Sequence, residues 1–173
     1  SLTSQLGMLG NPNLSEIWLT HAHLGHIEGL GQLGKEALNS REIKIRCSES
    51  VREYILEHPI WKKLVDRKNI IFSSFGTNSV VPLKVPHRSK DFDTHAFLFK
   101  GNNNVLFLPD HDNWSETLEL VGYVNPLDWF NGIDADIVSP MGPGKFPSMR
   151  VLPMGIVRRG VPDLPTWLST IFH

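Results

Sequence analysis

The segment Leu19-Thr20-His21-Ala22-His23-Leu24-Gly25-His26 sets three imidazoles within six residues, directly behind an apolar, strand-like stretch. Helical spacing follows at once, with Ile27, Leu30, Leu33, Ala37 and Leu38 as the apolar positions. The chain must therefore pass from strand to helix while carrying a dense group of ring nitrogens. Neutral imidazole is the commonest side-chain metal ligand near neutral pH. Residues two apart in an extended segment point the same way, so His21 and His23 can grip one ion from a single face. His26, where strand turns into helix, approaches from another direction. A lone histidine is usually structural, and a cluster of polar loop residues is the competing reading. Three at this spacing point to half of a metal site.

A chain of 173 residues is long enough for one domain with a real core. Hydrophobic residues make up 40% and charged residues 20%, ordinary values for a globular protein. The formal net charge of −1 gives no general pull toward nucleic acid or an anionic membrane. Lys62-Lys63 and Arg158-Arg159 read as solvated surface. No apolar run approaches the roughly 20 residues that span a bilayer. Ser1-Leu2-Thr3-Ser4-Gln5 lacks the basic and apolar regions of a secretory signal. The expected location is cytoplasmic, or organellar if a targeting segment lies outside this sequence. The expected partner is a small-molecule substrate, and the oligomeric state is left open. Cys47 stands alone, so no internal disulfide forms, and it reads as a buried, inert thiol.

Ser1 to Asn13, with Gly7, Gly10 and Pro12, reads as a loop or frayed lead-in. Strands are expected at Ser15 to Thr20 and Ile43 to Arg46, with a helix over Ile27 to Leu38. Gly29, Gly31 and Gly34 each weaken that helix by up to ~1 kcal/mol; close packing against a sheet is their expected use. Ser48 caps a helix bearing Val51, Tyr54 and Ile55 on one face, and Pro59 opens a second through Trp61 and Leu64. Ile70 to Ser73, Val80 to Val85, His95 to Lys100 and Val105 to Leu108 are short β-rich runs. Gly101-Asn102-Asn103-Asn104 reads as a hairpin turn. A helix is expected over Ser115 to Val121, capped by Asn113 or Ser115, and a strand at Asp136 to Val138. Alternating strands and helices followed by a block of antiparallel strands suggest a layered α/β sandwich.

The histidine segment, continued by Ile27-Glu28-Gly29-Leu30 and Leu33-Gly34-Lys35-Glu36-Ala37, resembles the first signature of the metallo-β-lactamase fold. Its wording is similar to the branch related to the pyrroloquinoline-quinone biosynthesis B proteins. Val85-Pro86-His87-Arg88 with Asp93-Thr94-His95-Ala96-Phe97 resembles the family's third-histidine strand and turn. Leu106-Phe107-Leu108-Pro109-Asp110-His111-Asp112-Asn113-Trp114 resembles its metal-bridging aspartate loop. The resemblance covers roughly Ile17 to Val138 and implies an αββα sandwich with metal at the strand ends.

Beyond Val138 the chain departs from that pattern. Ser139 to His173 holds Pro140, Pro143, Pro147, Pro153, Pro162 and Pro165, and reads as an irregular tail without a closing sheet. The family's final metal-binding histidine has no counterpart, and few strands precede His21. The organisation expected is thus an incomplete sandwich over residues 1–138 and a Pro/Gly-rich tail over 139–173, a fragment of a fuller domain.

The resemblance implies His21, His23 and His87 as ligands of one zinc ion, leaving a position for water. Bound zinc would bring that water's pKa toward ~7. Asp110 is the implied catalytic residue, bridging to a second ion or orienting the water, and His26 belongs to the second ion's shell. Gly25 stands where the family's commonest version has an aspartate, so the second position keeps only His26 and Asp110. One ion is therefore expected rather than two. Arg88 could meet an anionic substrate or form a salt bridge. His111 and Asp112 read as exposed loop residues or as groups orienting Asp110. Asp93 is expected to serve a turn, His58 to lie on the surface, and Trp18, Trp61, Trp114, Trp129 and Phe130 to line core or pocket.

The function implied is a zinc-dependent hydrolase acting through metal-activated water on an ester, amide or phosphodiester, and fold does not choose among these. The alternative is a degenerate or truncated member that binds metal without turnover. A role in cofactor biosynthesis or transport rests on the branch resemblance alone.

Overall fold

The computed structural model describes residues 2–8, 10, 13–102, 104–112, 114–120, 122, 135–138 and 156–158. These are mixed α/β, with two small sheets. The chain divides into two compact units, with the boundary between Phe75 and Gly76.

In the first unit, β1 (Glu16–Trp18), β2 (Ile43–Arg46) and β3 (Ile70–Ser73) form a parallel sheet in the order β1-β2-β3. Parallel neighbours require crossovers. The first crossover contains α2 (Leu24–Ile27) and a 3-10 segment, Glu28–Leu33; the second contains α3 (Glu49–Glu57) and α4 (Pro59–Asp66). Ile43 and Ile45 are buried while Lys44 between them is exposed, the period-two signature of a sheet covered on one face. Ile27, Leu30 and Leu33 from the first crossover, with Val51, Ile55, Trp61 and Leu64 from the second, supply the buried helical residues of this unit. Arg46 joins Glu16 at 2.9 Å, the Ser74 carbonyl at 2.7 Å and the face of Trp18. The hydrogen bond from Arg46 holds the Glu16 carboxyl below its ordinary pKa.

Four expectations are corrected here. The lead-in is not a loop: Leu2–Met8 forms α1, which packs on the 3-10 segment, where Leu2 approaches Gly29. The long helix expected over Ile27 to Leu38 instead starts at Leu24, tightens to 3-10 at Glu28 and ends at Leu33. The three glycines explain the shortening, since each raises the cost of holding α-helical backbone. Two of them pack closely, but against helices: a Cβ on Gly29 would lie 3.4 Å from Leu2 on α1 and one on Gly34 3.4 Å from Leu64 on α4, whereas one on Gly31 would meet nothing within 4 Å. His58 is half-buried between α3 and α4, with Nδ1 2.6 Å from the Tyr54 carbonyl and its ring against Tyr54 and Trp61.

The second unit holds β4 (Val80–Val85), β5 (Thr94–Phe99), β6 (Val105–Leu108), β7 (Ala135–Val138) and β8 (Ile156–Arg158), ordered β4-β5-β6-β7-β8. Only β6 and β7 run parallel, and α5 (Trp114–Leu120) lies between them in sequence. Pro82 sits within β4, the edge strand, where its missing N–H costs no internal ladder bond. Val85, Ala96, Phe97, Val105, Leu106 and Leu108 are buried. Asp93 pairs with Lys84 just before β5.

β8 corrects the expectation that no strand follows Val138. Its backbone pairs antiparallel with β7, Ile137 opposite Ile156. Three residues, Ile156-Val157-Arg158, are free of proline and β-compatible, and the average composition of the stretch concealed them. The other residues of 139–173, the Asn113 cap, and the side chains of Trp114, Trp129 and Phe130 lie outside the described residues.

Candidate metal centre

Parallel strands bring their carboxyl ends to one sheet edge, the usual place for ligands in α/β folds. β1 ends at Trp18, and Leu19 N–H extends the ladder by donating to the Arg46 carbonyl at 2.9 Å. The chain then leaves the sheet through Thr20 and His21, both buried. His23 is the N-cap of α2, and its carbonyl accepts from His26 N–H at 2.8 Å. Its side chain makes no capping hydrogen bond. It stands edge-on to His21 with ring centroids 4.6 Å apart, and His26 approaches His21 from the helix at 4.2 Å. Ligand atoms of His21 and His23, and of His21 and His26, lie within 4.8 Å of each other.

His21 is fully buried, and its Nδ1 is 3.0 Å from the Thr20 hydroxyl. When Nδ1 carries the proton and the hydroxyl accepts it, the lone pair is on Nε2, the atom then able to ligate. Lone pairs of adjacent rings repel one another unless a proton or a cation lies between them. Two imidazoles gathered around a buried third are therefore a suitable cation-binding set.

Gly25 lies among these residues, in α2. A Cβ there would meet nothing within 4 Å, so packing does not impose glycine at this position.

The second unit builds its donors from two loops. β4 and β6 both run antiparallel to β5, so their carboxyl ends share one edge of the sheet. Pro86 and His87 follow β4; Pro109, Asp110, His111 and Asp112 follow β6. Asp112 N–H donates to the Pro86 carbonyl at 2.8 Å and ties the two loops together. His87 Nδ1 then lies 3.0 Å from Asp112 Oδ1. The His87 side chain is 9% exposed and that of Asp112 35%. Arg88 Nε stands 3.9 Å from the same oxygen with its side chain 78% exposed, so the salt bridge is loose and most of the guanidinium faces solvent. Asp110 is half-buried.

Here the reading of His111 and Asp112 as exposed loop residues is corrected. His111 is buried, with Nδ1 3.3 Å from the Thr117 hydroxyl on α5. Asp112 is half-buried and bonded to a ligand candidate. Sequence reasoning missed Thr20, and it read Asp112 as an exposed loop residue or a group orienting Asp110, not as a partner of His87. Asp110 and Asp112, two apart behind a strand, carried a weak period-two signal; Thr20 carried none beyond its place next to His21.

Within the first unit, histidine side chains are thus grouped so that they could take part in holding a metal ion, the donors being His21, His23 and His26. Cys47 contributes nothing to such a set: it is buried, and desolvation pushes its thiol up to about 12. Among the described residues no helix is long and apolar enough to cross a membrane. No known family's sequence pattern matches the chain, and no characterised protein is similar enough to stand as its relative.

Proposed function

We propose that the chain is a zinc-binding protein of metallo-β-lactamase type, with an αββα plan, in which His21, His23 and His87 hold one ion. The observation that carries the reading is the crowding of His23 and His26 around the buried His21. The donors fit the metal: imidazole and carboxylate without thiolate suit zinc among the borderline divalent ions. A bound zinc ion supplies Lewis acidity and a water more acidic than bulk water.

The protein's own contribution is then to orient and to move protons. Asp110, half-buried and fixed behind β6, is the carboxylate proposed to orient the attacking water and accept its proton. Arg88 presents a mostly exposed guanidinium next to His87, suited to an anionic ester or phosphodiester. The chemistry proposed is hydrolysis of an ester, amide or phosphodiester.

A second reading, metal binding without turnover, is favoured by Gly25. An aspartate side chain would fit there and none is present, so the second position has only His26 and Asp110.

Zinc content and zinc affinity of the purified chain and of His87→Ala test the metal reading. The expected result is one zinc per chain, lost in the variant. Absence of zinc from the folded chain would overturn it. Hydrolysis of bis(p-nitrophenyl) phosphate by the zinc-loaded chain, abolished in Asp110→Asn, would separate the enzyme from the binding protein.

A further inference from the structure

We infer that Asp112 is a positioning residue for His87, holding the imidazole as its Nδ1–H tautomer so that Nε2 is the ligating atom. The inference rests on the proposed zinc site, and it names a residue outside the donor set. Three observations carry it. His87 Nδ1 and Asp112 Oδ1 are 3.0 Å apart, hydrogen-bond distance. The contact is shielded, with only 9% of the His87 side chain exposed, so water competes weakly for that nitrogen. The backbone fixes both partners, through Asp112 N–H to the Pro86 carbonyl at 2.8 Å and Ser89 N–H to the His87 carbonyl at 2.8 Å.

A carboxylate is an acceptor only, so the proton of a neutral His87 belongs on Nδ1 and the lone pair on Nε2. In water the Nε2–H form of imidazole predominates, so this tautomer reverses the intrinsic preference. The carboxylate also makes the ring a stronger donor to a cation, as carboxylates behind metal-bound histidines do. Thr20 meets His21 Nδ1 in the same way with a neutral hydroxyl. The two units thus use the same nitrogen for anchoring, one with a full charge and one without.

The test uses the full chain, as wild type, Asp112→Ala and Asp112→Asn. Long-range 1H–15N correlation on the metal-free protein, at a pH where imidazole is neutral, reads the tautomer of His87. Zinc titration with a competing chelator reads the affinity. The expected result is Nδ1–H in the wild type, loss of that preference in Asp112→Ala, and a roughly 10- to 100-fold weaker affinity for zinc in that variant. Asp112→Asn, whose amide oxygen still accepts, should keep Nδ1–H and recover part of the affinity. Wild-type His87 found as Nε2–H would overturn the inference, and so would Asp112→Ala with unchanged tautomer and affinity. The wild-type tautomer decides the matter even if Asp112→Ala fails to fold. A wild type with Nδ1–H but without zinc affinity would remove the metal reading and leave Asp112 as the group that directs the ring.

Discussion

In the first unit three ring donors come from six neighbouring positions, whereas in the second His87 and Asp112 are 25 residues apart. The first group needs only a strand end and the first turn of a helix to bring its members together. The second needs β4, β5 and β6 in register, because only the common direction of β4 and β6 lets the two loops meet. Closing such a separation carries an entropic cost that a local cluster avoids. Sheet packing must supply it, and Ala96, Phe97, Val105 and Leu106 are buried accordingly. A donor group can therefore be local and inexpensive, or distant and dependent on a sheet.

The largest way to alter that contrast is to complete the local group. Gly25→Asp adds a carboxylate where a Cβ meets nothing, and the expected outcome is a rise from one to two zinc ions per chain by elemental analysis. An unchanged stoichiometry would mean that His26 and Asp110 do not share an ion. Leu106→Ala strikes the distant group, since Leu106 is fully buried and pairs Leu98 and Asp136 across β6. It should destabilise the chain by about 2–5 kcal/mol in urea unfolding, the usual range for a buried leucine. Thr20→Val keeps shape but removes the hydroxyl at His21 Nδ1. Zinc affinity should fall roughly tenfold, about 1.4 kcal/mol and the mild end of the range for such supporting groups. A loss as large as that of Asp112→Ala would erase the distinction between charged and neutral support.

The smallest effect expected is one of pH. Burial lowers the pKa of His95 on β5, so the unfolded chain takes up that proton more readily than the folded one. Its contribution to stability is full above the ordinary value of about 6.5 and is lost as pH falls through that value toward the lowered one. The urea midpoint should drop over this window, and His95→Gln should flatten the drop.

Local signals were legible in the chain. Ser48 before Glu49 marked the start of α3 and accepts from Val51 N–H, and Pro59 opened α4. Ile43 to Arg46, Ile70 to Ser73, Val80 to Val85 and Val105 to Leu108 matched their strands residue for residue. The histidine cluster was legible for the same reason. What escaped depends on tertiary contact. α1 has little periodicity and gains its definition by packing on the 3-10 segment. β8 is three residues in a proline-rich stretch, and its pairing with β7 is a matter of register, not of composition. Burial of His111 and the bond between His87 and Asp112 follow from strand direction, which residue types near Asp110 do not encode.

Cys47 carries one further consequence. Its thiol stays protonated up to about 12, so peroxide or an electrophile meets almost no thiolate at neutral pH. The candidate donors are imidazoles and a carboxylate, which mild oxidants leave intact. A zinc site of this kind would keep its metal under oxidative conditions that eject zinc from cysteine-ligated sites, so its occupancy would answer to zinc supply and proton concentration and not to cellular redox state.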